Sequence, residues 1–139
     1  MKKFALLLGL ALISFTTQAQ EADGATITVT VENVLSDGGT ILAGLHTEAT
    51  FMKGMGVGNA MKPAKAGEIT LSFENVQPGT YAIMVMHDAN DNKQMDMEPN
   101  GMPKESYGMT GEMNMYGPPT FEGAKFEATG EDQEFTIRF

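Results

Sequence analysis

A run of side-chain oxygens at alternating positions, Asp88, Asn90, Asn92 and Asp96, follows directly on the apolar stretch from Tyr81 to Met86. The four fall at positions 1, 3, 5 and 9 of a calcium-loop spacing, with the backbone carbonyl of Gln94 at position 7. Hard cations take oxygen ligands, and alternate residues of a tightly wound loop direct theirs inward. A complete twelve-residue loop also has glycine at position 6 and a bidentate glutamate at position 12. Here Lys93 and Pro99 stand at those places, and Glu98 comes one residue early. Asp and Asn also form Asx-turns with no metal, because their side chains bond the backbone two residues on. Calcium is the candidate cofactor, and a polar turn is the alternative.

Softer donors are also present. The chain has twelve methionines, with Met95 and Met97, and Met113 and Met115, paired as Met-x-Met, and Met52 and Met55 elsewhere. Thioethers select Cu(I), so a Cu(I)-binding protein is a second reading. The alternative is that methionine fills irregular cores. His87 is a second-tier ligand or a general base, since histidine titrates near neutrality. His46 also closes a strand pattern, which leaves a two-histidine site open. No Gly-x-Ser-x-Gly turn occurs, and Ser106 lies between Glu105 and Tyr107. A His-dependent hydrolase or isomerase using His87 with Asp88, Asp96 or Glu105 is the rival class to a binding module. Tyr107, Tyr116, Phe121 and Phe126 with Pro118-Pro119 form either an aromatic platform for a ligand or anchors for a long loop.

The elements that must position these residues are strands. Ala25 to Val34 alternates polar with β-branched residues, placing Ile27, Val29 and Val31 on one face. Ser36-Asp37-Gly38-Gly39 reads as a turn and Thr40 to His46 as the second strand of a hairpin. Thr47 to Lys65 is broken by Gly54, Gly56 and Gly58, and reads as a crossover loop with a short helix at most. Gly67 to Glu74 alternates again, with Ile69, Leu71 and Phe73 inward, and Val76-Gln-Pro-Gly-Thr80 is a tight turn. In Thr80 to His87 both faces are apolar, Tyr81, Ile83 and Val85 on one and Ala82, Met84 and Met86 on the other. Such a strand is central and covered on both sides. Asp88 to Thr120 has no sustained period and reads as a long ordered excursion that folds back over the sheet and buries Met84 and Met86. Glu122 to Ala128 and Glu134 to Phe139 are the last strands, with Phe135 and Ile137 inward. The predicted fold is all-β, a single antiparallel β-sandwich of Ig-like or transthyretin-like type with one long ordered loop.

Bulk properties bound the function. Lys2 and Lys3, the apolar run from Phe4 to Phe15 and Thr17-Gln18-Ala19 read as a signal peptide over residues 1–19, with no Cys before the cut. The remaining domain, residues 20–139, carries seven basic residues against eighteen acidic ones. That excess repels phosphate backbones and anionic lipid, so no nucleic-acid partner is expected. It suits cations, and it also simply confers solubility. No further run is long enough to span a bilayer, so no membrane insertion is expected after cleavage, and the location is periplasmic or secreted. The absence of Cys excludes thiol catalysis and zinc-thiolate sites.

Four segments carry a family resemblance. They are Phe73-Glu-Asn-Val-Gln-Pro-Gly-Thr-Tyr81, His87-Asp-Ala-Asn90, Pro103-Lys-Glu-Ser-Tyr-Gly108 and Gly117-Pro-Pro-Thr-Phe-Glu-Gly-Ala-Lys-Phe126. Together they resemble the small exported bacterial proteins catalogued as domain of unknown function 2141. The resemblance implies an exported β-sandwich and brings no activity. The family usually reads Asp-x-Asn-x-Asn-Gly-x-Leu-Asp in the central loop; here Lys93 replaces the glycine and Met95 the leucine. The sequence reading is thus an exported acidic β-sandwich acting as a binding or structural module, more a binder than an enzyme.

Overall fold

The computed structural model describes residues 24–139; the signal-peptide reading of residues 1–19 lies outside the described residues. Strand β1 (Ala25–Val34) buries every second residue, and Ile27, Val29 and Val31 are fully enclosed. It is the middle of a three-stranded sheet, between β4 (Gly67–Val76) and β8 (Gln133–Arg138). The register places Leu71 opposite Val29 on one side and Phe135 on the other, so apolar residues of all three strands share one face. The β1–β8 pair is parallel, whereas the other ladders are antiparallel.

The second sheet has β2 (Thr40–His46) between β3 (Gly58–Pro63) and β5 (Gly79–Asp88). Strand β5 also pairs with two short strands, β6 (Tyr107–Met109) and β7 (Phe126–Ala128). The two sheets pack face to face. Ile27, Val29, Val31, Ile69, Leu71, Phe73, Ile83, Val85 and Ile137, all predicted inward, lie in the core between them, with Tyr81 and Phe135 at its partly buried rim. Each fully buried Val or Ile contributes about 1.5–3 kcal/mol relative to exposure, which makes this layer the main source of stability.

The outer face of β5, expected to be wholly covered, is enclosed at Ala82, while Met84 and Met86 are only half-buried. Phe51, Ala82, Met109 and Ala124 form a separate buried cluster there, with Met84, Tyr107 and Phe121 against it. Phe51 is delivered by a helical turn in which its N–H donates to the Thr47 carbonyl at 2.9 Å.

Three local expectations are corrected. Strands β1 and β2 do not form a hairpin: they belong to different sheets, and their connection crosses between layers. The turn is held from outside, since Asp37 Oδ1 accepts from Ala66 N and the Gly39 carbonyl accepts from Ala64 N. At Gly39, with φ of 78°, a Cβ would lie 2.0 Å from the Asp88 carbonyl oxygen, so only glycine fits. Within the expected crossover loop, Gly58–Pro63 forms edge strand β3. Finally, Glu122 to Ala128 is not one strand. A helical turn, α1 (Phe121–Ala124), precedes β7, and its N-cap Thr120 accepts from Gly123 N. No helix among the described residues is long and apolar enough to cross a membrane.

Candidate functional site

Asp88 ends β5 and is 1% exposed. Its carboxylate accepts from two backbone donors of the loop that follows, Asn92 N at 3.1 Å on Oδ1 and Lys93 N at 2.7 Å on Oδ2. These bonds wind residues 88–93 into a tight turn. Asn90 Oδ1 accepts from Asn92 N and Asn92 Oδ1 from Gln94 N, two successive Asx-turns. The winding needs left-handed backbone at two non-glycine residues, Asp91 at φ 57° and Lys93 at φ 60°. Lys93 thus takes the conformation that the sixth position of a calcium loop demands, despite its side chain.

The side chains converge on Asp96. Asn90 Nδ2 donates to Asp96 Oδ2 at 2.6 Å and Asn92 Nδ2 to Oδ1 at 3.0 Å. Asn90 and Asn92 thus meet Asp96, while Asp88 holds the same turn through the backbone of Asn92 and Lys93. Gln94 is exposed and joins the group only through its backbone. Each Asn Oδ1 accepts a backbone N–H and its Nδ2 is the atom turned to Asp96; a second lone pair remains on each oxygen. No cluster of three or more His, Cys, Asp or Glu residues able to hold a metal ion occurs among the described residues.

Glu105 closes the loop from outside, its Oε1 accepting from Ala89 N and its Oε2 from Asp96 N. The sequence reading placed Glu105 only in a rival catalytic set. Its signal was its motif, Pro103-Lys-Glu-Ser-Tyr-Gly108, which feeds β6 back along β5. Asp91, also unassigned by sequence, ties the loop to β2 through Thr40 Oγ1 at 2.6 Å.

His87 is not part of this group. Adjacent strand residues point to opposite faces, and His87 is paired with the core residue Ile41. Its Nε2 donates to the Gly38 carbonyl at 2.6 Å, fixing the interlayer turn. The His87–Asp88 pair of the catalytic alternative is thus split across the strand. The aromatic residues are likewise dispersed. Phe121 packs edge-on against Phe51, Phe126 lies against Tyr81 and Phe135 at the core, and Tyr116 is fully exposed.

Beside the acidic loop, a cavity of about 640 Å³ opens on the outer face of the second sheet. Its floor is laid down by register: Met84 lies opposite Gly44, and Met86 opposite Leu42. Met52 and Met55 line it from the β2–β3 connection, and Met95 and Met97 from the acidic loop, with Lys93 and Gln94. Met113 and Met115, the other Met-x-Met pair, are not among its lining residues and are exposed. The excursion thus arches over Met84 and Met86 and leaves them half-buried. His46 lies at the cavity's edge and is 4% exposed. Burial lowers its pKa below 6.5, opposed by its hydrogen bond to the Thr50 carbonyl.

The family described as "Uncharacterized protein conserved in bacteria (DUF2141)" matches residues 29–136. No curated protein and no solved structure matches the chain.

Proposed function

Since the chain belongs to the bacterial family DUF2141, whose description carries no activity to transfer, we propose from its own geometry that it is an exported binding module whose acidic loop takes a calcium ion. The sandwich that carries the loop is of Ig-like or transthyretin-like type. The observation behind this reading is a single tight turn, with left-handed backbone at Lys93, in which Asn90 and Asn92 meet Asp96 and the Asp88 carboxylate holds the Asn92 and Lys93 N–H groups. Flexible six- to eight-fold oxygen coordination suits calcium better than the strict octahedron of magnesium. Asp88 and Asp96 would balance the ion's charge, and the asparagines would supply neutral oxygens.

Two carboxylates and no glycine at the turn imply weak binding, with Kd on the order of 10⁻⁴ to 10⁻³ M, as for extracellular modules. At about 10 mM calcium, mass action then stabilises the fold by roughly 1.4–2.7 kcal/mol. For a domain of this size that is a melting-temperature rise of about 6–11 °C. Asp88→Asn keeps an acceptor for the backbone and removes a ligand charge, so it should abolish most of the rise. Thermal melts with chelator and with calcium, paired with isothermal titration, are the test. An unmutated protein that shows neither binding heat nor a calcium-dependent shift has a loop of Asx-turns and no calcium site.

A further inference from the structure

Methionine is segregated in this fold. The buried core between the sheets is built from Ile, Val, Leu, Phe and Ala and contains no methionine among the described residues. The outer cavity is lined by seven. Methionine used as filler belongs where packing is irregular and dry. Here Met52, Met55, Met61 and Met97 are 57%, 52%, 54% and 55% exposed while lining the cavity. Four half-exposed thioethers around one opening contribute little as core. They do supply soft donors with freedom to move.

A histidine lines the same cavity. His46 Nδ1 donates to the Thr50 carbonyl at 3.0 Å. That bond fixes the tautomer and leaves the Nε2 lone pair without a hydrogen-bond partner among the described residues. Nε2 sits directly above Gly44, where a Cβ would lie 2.6 Å away. Met84 is the residue opposite Gly44 across the β2–β5 ladder, and the Met55 carbonyl oxygen lies 3.1 Å from the same point. An imidazole whose second N–H is held by a backbone carbonyl is the usual arrangement of a metal-ligating histidine.

We propose that the cavity is a Cu(I) site, with His46 Nε2 and the thioethers of Met84 and Met55 as ligands. The other lining methionines form a soft, adaptable rim. Thioether and imidazole donors favour Cu(I) over the hard cations that the neighbouring oxygen cluster would take. The proposal does not rest on the calcium reading: its donors are different atoms on a different wall.

The test is anaerobic competition of the full chain with bicinchoninate for Cu(I). It should show one Cu(I) retained per chain. X-ray absorption of that complex should show sulfur and nitrogen scatterers together. Met84→Leu and Met55→Leu preserve side-chain volume, so the fold should survive. Each should weaken retention by about tenfold or more, at least the effect of losing an outer-shell partner. Met113→Leu with Met115→Leu should leave retention unchanged, and so should Asp88→Asn, which separates this site from the acidic loop. The proposal is overturned if bicinchoninate removes all Cu(I) from the unmutated protein. It is equally overturned if retention depends on Met113 and Met115, or if the absorption spectrum contains no sulfur.

Discussion

Lys93 holds a left-handed backbone, at φ 60°, and its N–H donates to Asp88. Replacing it with glycine changes two separable quantities. A Cβ in that region costs about 1–2 kcal/mol. Glycine forfeits about 0.5–1 kcal/mol more conformational freedom on folding. Lys93→Gly should therefore stabilise the protein by roughly 0.5–1 kcal/mol with calcium chelated, a rise of about 2–4 °C in melting temperature. The hydrogen bond to Asp88 is kept, because glycine retains the N–H. Lys93→Ala removes the same charge but keeps the Cβ, so it should show no such gain. Calcium affinity behaves differently. At one Debye length, about 8 Å, a lysine and a divalent cation repel by about 1 kcal/mol in water, cut by salt to about 0.4 kcal/mol. Both variants should then bind calcium roughly twofold more tightly than the parent. Urea denaturation of the three proteins, first in chelator and then in calcium, measures both effects. A glycine variant no more stable than the alanine variant in chelator would refute the claim that strain resides in the Lys93 backbone.

Two further outcomes are expected. Asp88→Ala strips two backbone donors of a buried charged acceptor and should cost about 3–6 kcal/mol even without metal, because hydrogen bonds to charged groups contribute about 1.5–3 kcal/mol each. A loss below about 1 kcal/mol in urea denaturation would mean that the loop holds its shape without Asp88. His46 titrates below 6.5 in the fold. Between its folded pKa and 6.5 the unfolded chain holds a proton that the native state lacks, so this contribution to stability is full above 6.5 and falls as pH drops towards the folded value. Melting curves across that range should show the loss, and His46→Asn should flatten it; an unchanged pH profile in the variant would assign the loss to other groups.

The inter-sheet core was legible because period-two alternation is a direct record of burial. Ile27, Val29 and Val31 could face nowhere else. Strand β3 was not legible, because it is an edge strand with Asn59 and Met61 outward and only Ala60 against the core, so no apolar period marks it. The interlayer crossing after β1 was also hidden. A Gly-Gly turn is compatible with a hairpin, and what decides against one is distant: Ala64, Ala66 and His87. Helical turn α1 is too short for a 3.6-residue pattern, though the Thr120 cap was present. In the acidic loop, the alternating Asx residues marked a turn, seen in Asn90 and Asn92, whose oxygens accept from the backbone two residues on. The clasp by Glu105 depends on where β6 returns the chain. His46 and Gly44 share a face because they are two residues apart on β2, but the placing of Met84 opposite Gly44 depends on a cross-strand register that no single segment encodes.

The parallel pairing of β1 with β8 has a kinetic consequence. Thr26 and Asp132, joined by a 2.8 Å hydrogen bond, are 106 residues apart, as are Glu32 and Arg138. Ladders of such separation fold slowly, because the loop-closure entropy is spent before the contacts form. Until β8 docks, β1 presents one open edge with Ile27, Val29 and Val31 uncovered on that side. The interval between forming β1–β4 and closing with β8 is thus the stage at which two chains can pair edge to edge. Refolding yield should accordingly fall with protein concentration even where the native protein is stable.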